Sequence, residues 1–97
     1  ILPSKWEFEG FPGVIIESFL AARPVISSHV GGIPELVETG VTGVLIDEVT
    51  ASTIVEAVVS ITDENYELMV DNAISHGREY RADTVHAKYL QAIRDLL

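Results

Sequence analysis

At 97 residues the chain is long enough for one small domain with a real core and too short for two. Hydrophobic residues make up 47% of it and charged residues 22%, which excludes a disordered chain, and the absence of Cys excludes disulfides and thiolate metal sites. Fifteen acidic against six basic residues give a formal charge of -9, a surface that repels nucleic acid and anionic membrane, so no nucleic-acid partner and no membrane insertion by this segment are expected, and a nucleotide diphosphate would need local backbone donors here and cations from elsewhere.

The start at Ile1, apolar and without an initiator Met, leads us to expect a piece of a longer protein, although a processed terminus would look the same. Ile1-Leu2 before Pro3-Ser4 reads as the end of a strand, and residues 4–12 as a loop holding Gly10 and Phe11. Pro12 suits a first helical position, and residues 13–22 continue the helix until Pro24 stops it. Val14, Ile15, Ile16, Phe19 and Leu20 make that helix apolar around nearly its whole circumference, which predicts burial. Val25–Ser28 is a short buried strand, His29 to Gly32 a glycine-bearing loop, and residues 33–38 a short helix opened by Pro34 and closed by Thr39-Gly40. Residues 43–47 form a third strand.

Three helical patterns follow: Ile54, Val55, Val58 and Val59; then Tyr66, Met69, Val70, Ala73 and Ile74; then Val85, Tyr89, Ala92, Ile93 and Leu96. Asp63 and Asp83 are the expected N-caps of the last two. No apolar run approaches the roughly 18 residues that cross a bilayer, and no signal peptide, repeat or linker is visible. Strands and helices in alternation with short connections predict an α/β fold: half of a Rossmann-like domain, about three short parallel strands with flanking and C-terminal helices. Right-handed crossovers then bring residues 4–12 and His29 to Gly32 to the carboxyl edge of the sheet, where open α/β folds bind ligands.

The residues with chemistry to offer lie in Glu9-Gly10-Phe11-Pro12-Gly13-Val14-Ile15-Ile16-Glu17. The first backbone N–H groups of a helix have no intrahelical partner and carry the positive end of its dipole, while Gly10 and Gly13 let an anion approach the backbone: the outline of a phosphate site. Glu17 falls about one turn beyond Gly13, its Cβ leaning back toward the helix start, so its carboxylate can accept hydrogen bonds from ribose hydroxyls. Glu9 is placed to touch a sugar beyond the diphosphate. The plainer reading is that two Glu residues seven apart arise by chance in an acidic chain and that a helix-start glycine is only a turn. Against it, Glu17 sits in an apolar run, where burial without a partner is costly.

Pro3-Ser4, Trp6, Glu9-Gly10-Phe11-Pro12 and Val14-Ile15-Ile16-Glu17 together resemble the E-x7-E segment of the family-4 retaining glycosyltransferases, which have the GT-B fold. Arg23-Pro24-Val25-Ile26-Ser27-Ser28, Val30-Gly31-Gly32-Ile33-Pro34-Glu35-Leu36-Val37 and Thr39-Gly40-Val41-Thr42-Gly43-Val44-Leu45 are similar to the segments that follow in that family. The resemblance implies a single partial domain over residues 1–97, the C-terminal part of the nucleotide-sugar-binding domain. It implies sugar transfer from a nucleotide-diphosphate sugar with retention, without an obligatory metal or other cofactor. Glu17 would hold the ribose and Glu9 would orient the donor sugar in a catalytic role. The amides from Phe11 through Pro12 and Gly13 to Val14, with Gly10 beside them, would hold the diphosphate, and Gly31 and Gly32 would line the nucleotide pocket. Glu7-Phe8 stands interposed where the family places one Glu-Gly after the Trp-like position; counting back from Glu17 selects Glu9, and a rearranged loop would let Glu7 share its role.

The family's N-terminal acceptor domain and basic pair are absent from these residues, so the chain alone is expected to bind donor weakly and to transfer nothing. A non-enzymatic nucleotide- or phosphosugar-binding module and a purely structural folding unit are the alternatives. The strand at Ile1-Leu2 lies inside the family's sheet, which predicts an open edge here and a two-fold homodimer hiding it, unless the last helix covers it. Nucleotide-sugars are made in the cytoplasm, and the resemblance implies that location. His29 reads as an ordinary loop residue with no carboxylate at ligand spacing, and His76 and His86 as helix residues near charges. Trp6 is expected to cover a core edge, Tyr66 and Met69 to face the core, and Arg78, Glu79 and Arg81 to mark a solvated helix end.

Overall fold

The computed structural model describes residues 1–3 and 13–97. Seven elements run in the order α1 (Gly13–Leu20), β1 (Val25–Ser28), α2 (Ile33–Leu36), β2 (Gly43–Ile46), α3 (Ala51–Ser60), α4 (Asp63–Glu79) and α5 (Ala82–Leu96). The fold is α/β, as the alternating pattern predicted. Among the described residues the sheet has two parallel strands, with Val25 opposite Gly43 and Ser28 opposite Ile46. The expected third strand at Ile1-Leu2 is reduced to a single parallel bridge. Leu2 donates its N–H to the Ile26 carbonyl at 2.8 Å and accepts from the Ser28 N–H at 3.2 Å.

β1 is therefore interior, and all four of its residues are buried. Ser27 is tolerated there because its hydroxyl donates to the Leu2 carbonyl at 2.9 Å, which offsets the cost of burying a polar group. Gly43 is required by the closeness of the two strands: a Cβ on it would stand 1.8 Å from the Val25 carbonyl oxygen.

One cluster of buried residues joins Ile15 and Phe19 of α1, Val25, Ile33, Leu36, Val37 and Ala73 of α4; a second joins Ile26, Ile46 and Ala57 on the other side of the sheet. Two layers of helix thus flank the strands, the arrangement that a sheet apolar on both faces demands. Gly77 lets α4 lie against α1, since a Cβ there would meet Phe19 Cβ at 2.9 Å. Thr42 ties the end of α2 to β2: its buried hydroxyl accepts from the Glu38 N–H at 3.0 Å and donates to the Leu36 carbonyl at 3.3 Å.

Several expectations need correction. α1 is not buried all round: Ile15 and Phe19 face the core, while Val14 and Leu20 are exposed, because α4 and β1 cover only one side of it. The caps differ too. Thr62, not Asp63, caps α4 through a reciprocal pair with Asn65, and α5 has Arg81 at the cap position with no side-chain bond. Asp83 instead accepts from the Thr84 N–H at 2.9 Å. Met69 is buried as predicted, but Tyr66 is exposed, and α3 turns Ala57 inward while Val55, Val58 and Val59 face solvent. No helix among the described residues is long and apolar enough to cross a membrane.

Candidate functional site

Because Leu2 and β2 both pair parallel to β1, the chain leaves all three at one edge: after Leu2, into His29 to Gly32, and into Asp47-Glu48. α1 returns to the same edge. Its C-terminal end is joined to the start of β1 by four residues, and an eight-residue helix and a four-residue strand are each roughly 12–13 Å long. Gly13 therefore stands near the level of Ser28, with the start of α1 at the carboxyl edge, the end of a helix whose first N–H groups lack intrahelical acceptors.

Of the predicted site residues, Gly13, Val14 and Glu17 lie on α1 and are exposed. The burial argument for Glu17 is overturned, since its carboxylate is on the solvated side of the helix and needs no protein partner to be tolerated. Glu9, Gly10, Phe11 and Pro12, together with Glu7 and Trp6, lie outside the described residues. Gly31 and Gly32 occupy the loop after β1. Gly31 adopts φ 53°, a left-handed conformation that favours glycine, and Gly32 caps α2, whose second residue is Pro34.

The structure adds a pair that the sequence reading missed. His29 Nδ1 lies 3.4 Å from Asp47 Oδ1, and the His29 N–H donates to the Ile46 carbonyl at 3.1 Å. Eighteen positions separate the two side chains, but the register that sets Ser28 opposite Ile46 brings the next residues together. The signal available in the sequence was two adjacent parallel strands ending in His and Asp.

A cavity of about 500 Å³ opens beside His29 and runs between α2 and α4, with Glu35, Glu38, Asn72 and His76 among its walls. Among the described residues its lining has carboxylates and no Lys or Arg, so these walls offer a diphosphate no cation. Its far end is structural. Asn72 donates to the Val41 carbonyl at 3.0 Å, and His76 is not the plain helix residue expected. Its ring stands edge-on to Phe19 and Tyr80 with centroids 5.8 and 5.5 Å away, and its Nε2 is buried without a partner among the described residues. No cluster of three or more His, Asp or Glu among the described residues is placed to hold a metal ion.

The family described as Glycosyl transferases group 1 matches residues 1–64, which span α1 to α3 and every candidate site residue. The chain belongs to this family. It is also similar to two curated proteins. One is an uncharacterized 41.2 kDa protein in the cps region of Klebsiella pneumoniae, 37% identical over 62 residues, 64% of this chain and 17% of that protein. The other is an alpha-D-kanosaminyltransferase of Streptomyces kanamyceticus, 33% identical over 75 residues, 75% of this chain and 19% of that protein. The chain thus spans less than a fifth of the length of these relatives. α4 and α5 lie almost wholly outside the family match, which ends at residue 64 and so runs past α3.

Proposed function

We propose that this chain is the donor-binding part of a glycosyltransferase that takes sugar from a nucleotide-diphosphate sugar with retention of configuration. Membership of the Glycosyl transferases group 1 family, through a match that contains the whole carboxyl edge, is the observation that carries this reading. The relative named as a kanosaminyltransferase supports a glycosyl group as the transferred unit. On this reading the amides at the start of α1, from Phe11 to Val14 with Gly10, hold the diphosphate. Glu17 accepts from the ribose hydroxyls, Gly31 and Gly32 give the nucleotide close access to backbone, and Glu9 orients the donor sugar.

The electrostatics explain why the chain would not suffice alone. One helix start and one carboxylate contribute about 1–3 kcal/mol toward a nucleotide diphosphate, against a net charge of -9. The missing cations and the acceptor-binding part belong to the rest of a longer parent protein. Nucleotide-sugar titration followed by amide shifts is expected to move residues at the start of α1 and at Gly31-Gly32 with millimolar affinity, and low-micromolar binding by this chain alone would refute the incomplete-site reading. In the longer parent, Glu17→Gln is expected to weaken donor binding and Glu9→Gln to depress turnover. Unchanged kinetics in both would remove the E-x7-E assignment.

A further inference from the structure

We propose that Asp47 is a positioning residue for His29, and that the pair reads the nucleoside portion of the donor; the inference rests on the donor-binding reading above. His29 and Asp47 are the first residues after β1 and β2, at the edge where that reading puts the nucleotide. His29 shares its loop with Gly31 and Gly32. Its main chain is fixed by the bond from its N–H to the Ile46 carbonyl, and the strand register fixes Asp47 beside it. Only the imidazole's rotation and tautomer remain open, and the carboxylate 3.4 Å from Nδ1 acts on both.

On this proposal the Asp47 carboxylate, 3.4 Å from Nδ1, closes to a hydrogen bond and so favours the neutral tautomer that carries its proton on Nδ1, the role a carboxylate plays beside metal-bound histidines. Nε2 is then a lone-pair acceptor. An acceptor suits an N–H of a base or a hydroxyl of a ribose and gives nothing to a phosphate oxygen, so the pair contributes to nucleoside recognition and not to the diphosphate. The pair is exposed, with 52% of the His29 and 94% of the Asp47 side chain accessible, and an exposed pair adds little to stability. Variants at either position should therefore fold normally.

The test uses the nitrogen-15-labelled 97-residue chain at about pH 9, where imidazole is neutral. Long-range proton–nitrogen spectra should show His29 protonated on Nδ1, and Asp47→Ala should move the proton to Nε2. Asp47→Asn, whose side-chain carbonyl still accepts from Nδ1, should restore the first form. Uridine, guanosine and adenosine diphosphates serve as probes beside inorganic pyrophosphate. At least one nucleoside diphosphate should shift the His29 Nε2 resonance, and Asp47→Ala should weaken its binding about fivefold, the loss of one hydrogen bond, while pyrophosphate binding stays unchanged. A proton on Nε2 in the unsubstituted chain would overturn the inference. So would an imidazole left untouched by probes that do shift the amides at Gly13 and Gly31. If no probe shifts those amides, the donor-binding reading fails and takes the nucleoside role with it, a result distinct from the other two.

Discussion

Ala22 stands in the left-handed region at φ 60°, where a side chain other than glycine's is strained. The surrounding bonds show why the chain tolerates this. The Arg23 N–H donates to the Ser18 carbonyl at 2.9 Å and the Ala22 N–H to the Phe19 carbonyl at 2.9 Å, the two bonds that close a helix when its following residue turns left-handed. Glycine fits that position without strain but gives the unfolded chain more freedom to lose. The strain is the larger of the two terms, so Ala22→Gly is expected to raise stability by about 0.5–1 kcal/mol. Urea unfolding with an unchanged slope would report it. Gly77 presents the opposite case. Helix propensity alone favours alanine in α4 by about 1 kcal/mol. A Cβ at 2.9 Å from Phe19 Cβ and 3.1 Å from the Leu20 backbone nitrogen must nevertheless push two helices apart. Gly77→Ala should therefore destabilise by about 1–3 kcal/mol, seen as a lower midpoint in the same experiment.

At the scale of elements, the outer edge of β2 is closed from within the chain. The Gly40 N–H donates to the Gly43 carbonyl at 2.9 Å, and the Thr39 hydroxyl accepts from the Leu45 N–H at 3.0 Å. The turn between α2 and β2 thereby takes two groups that a bare edge would offer to another strand. Thr39→Val should leave the fold intact and release the Leu45 amide. Hydrogen exchange at Leu45 is expected to speed up about tenfold, beyond the change at the interior β1 amides, and equal changes at both would mean that the substitution acts on global stability alone. Much of this level was legible in the sequence. The Gly43 strand and Val25–Ser28 were found within a residue of their ends because turn residues bracket short apolar runs on both sides. The caps were misread, because Asp63 and Asp83 looked like caps by residue type while Thr62 and Asn65 make the reciprocal bonds.

The whole molecule is elongated. Its radius of gyration is 15.0 Å, against about 12.5 Å for a compact domain of this length. α5 accounts for much of the difference: it packs chiefly against α4 and leaves Val85, Tyr89, Ile93 and Leu96 exposed. It packs away from β1, whose side opposite β2 is met, among the described residues, by Leu2 alone. Exposed apolar surface of this kind and a partly open sheet edge both favour association. The charge of -9 opposes it, but only within the roughly 8–10 Å that ordinary buffers leave unscreened. Light scattering over a concentration series is expected to show a dimer that grows with concentration. A monomer at all concentrations would show that neither surface is sticky enough to overcome the charge.

The sequence by itself determined the α/β class, the places of the Val25–Ser28 strand and the Gly43 strand, and the burial of Ile15, Phe19 and Met69, and it singled out Glu9 to Glu17 with Gly31 and Gly32 as the place to look for a site. Those follow from local patterns, since period, turn chemistry and glycine placement are set by neighbours in the chain. Only the tertiary structure decided which side of α1 faces water, and with it the exposure of Glu17, because that depends on where α4 and β1 lie. It alone joined His29 to Asp47, and it alone set His76 between Phe19 and Tyr80, because contacts between residues far apart in sequence are fixed by strand register and helix packing, which no local pattern encodes.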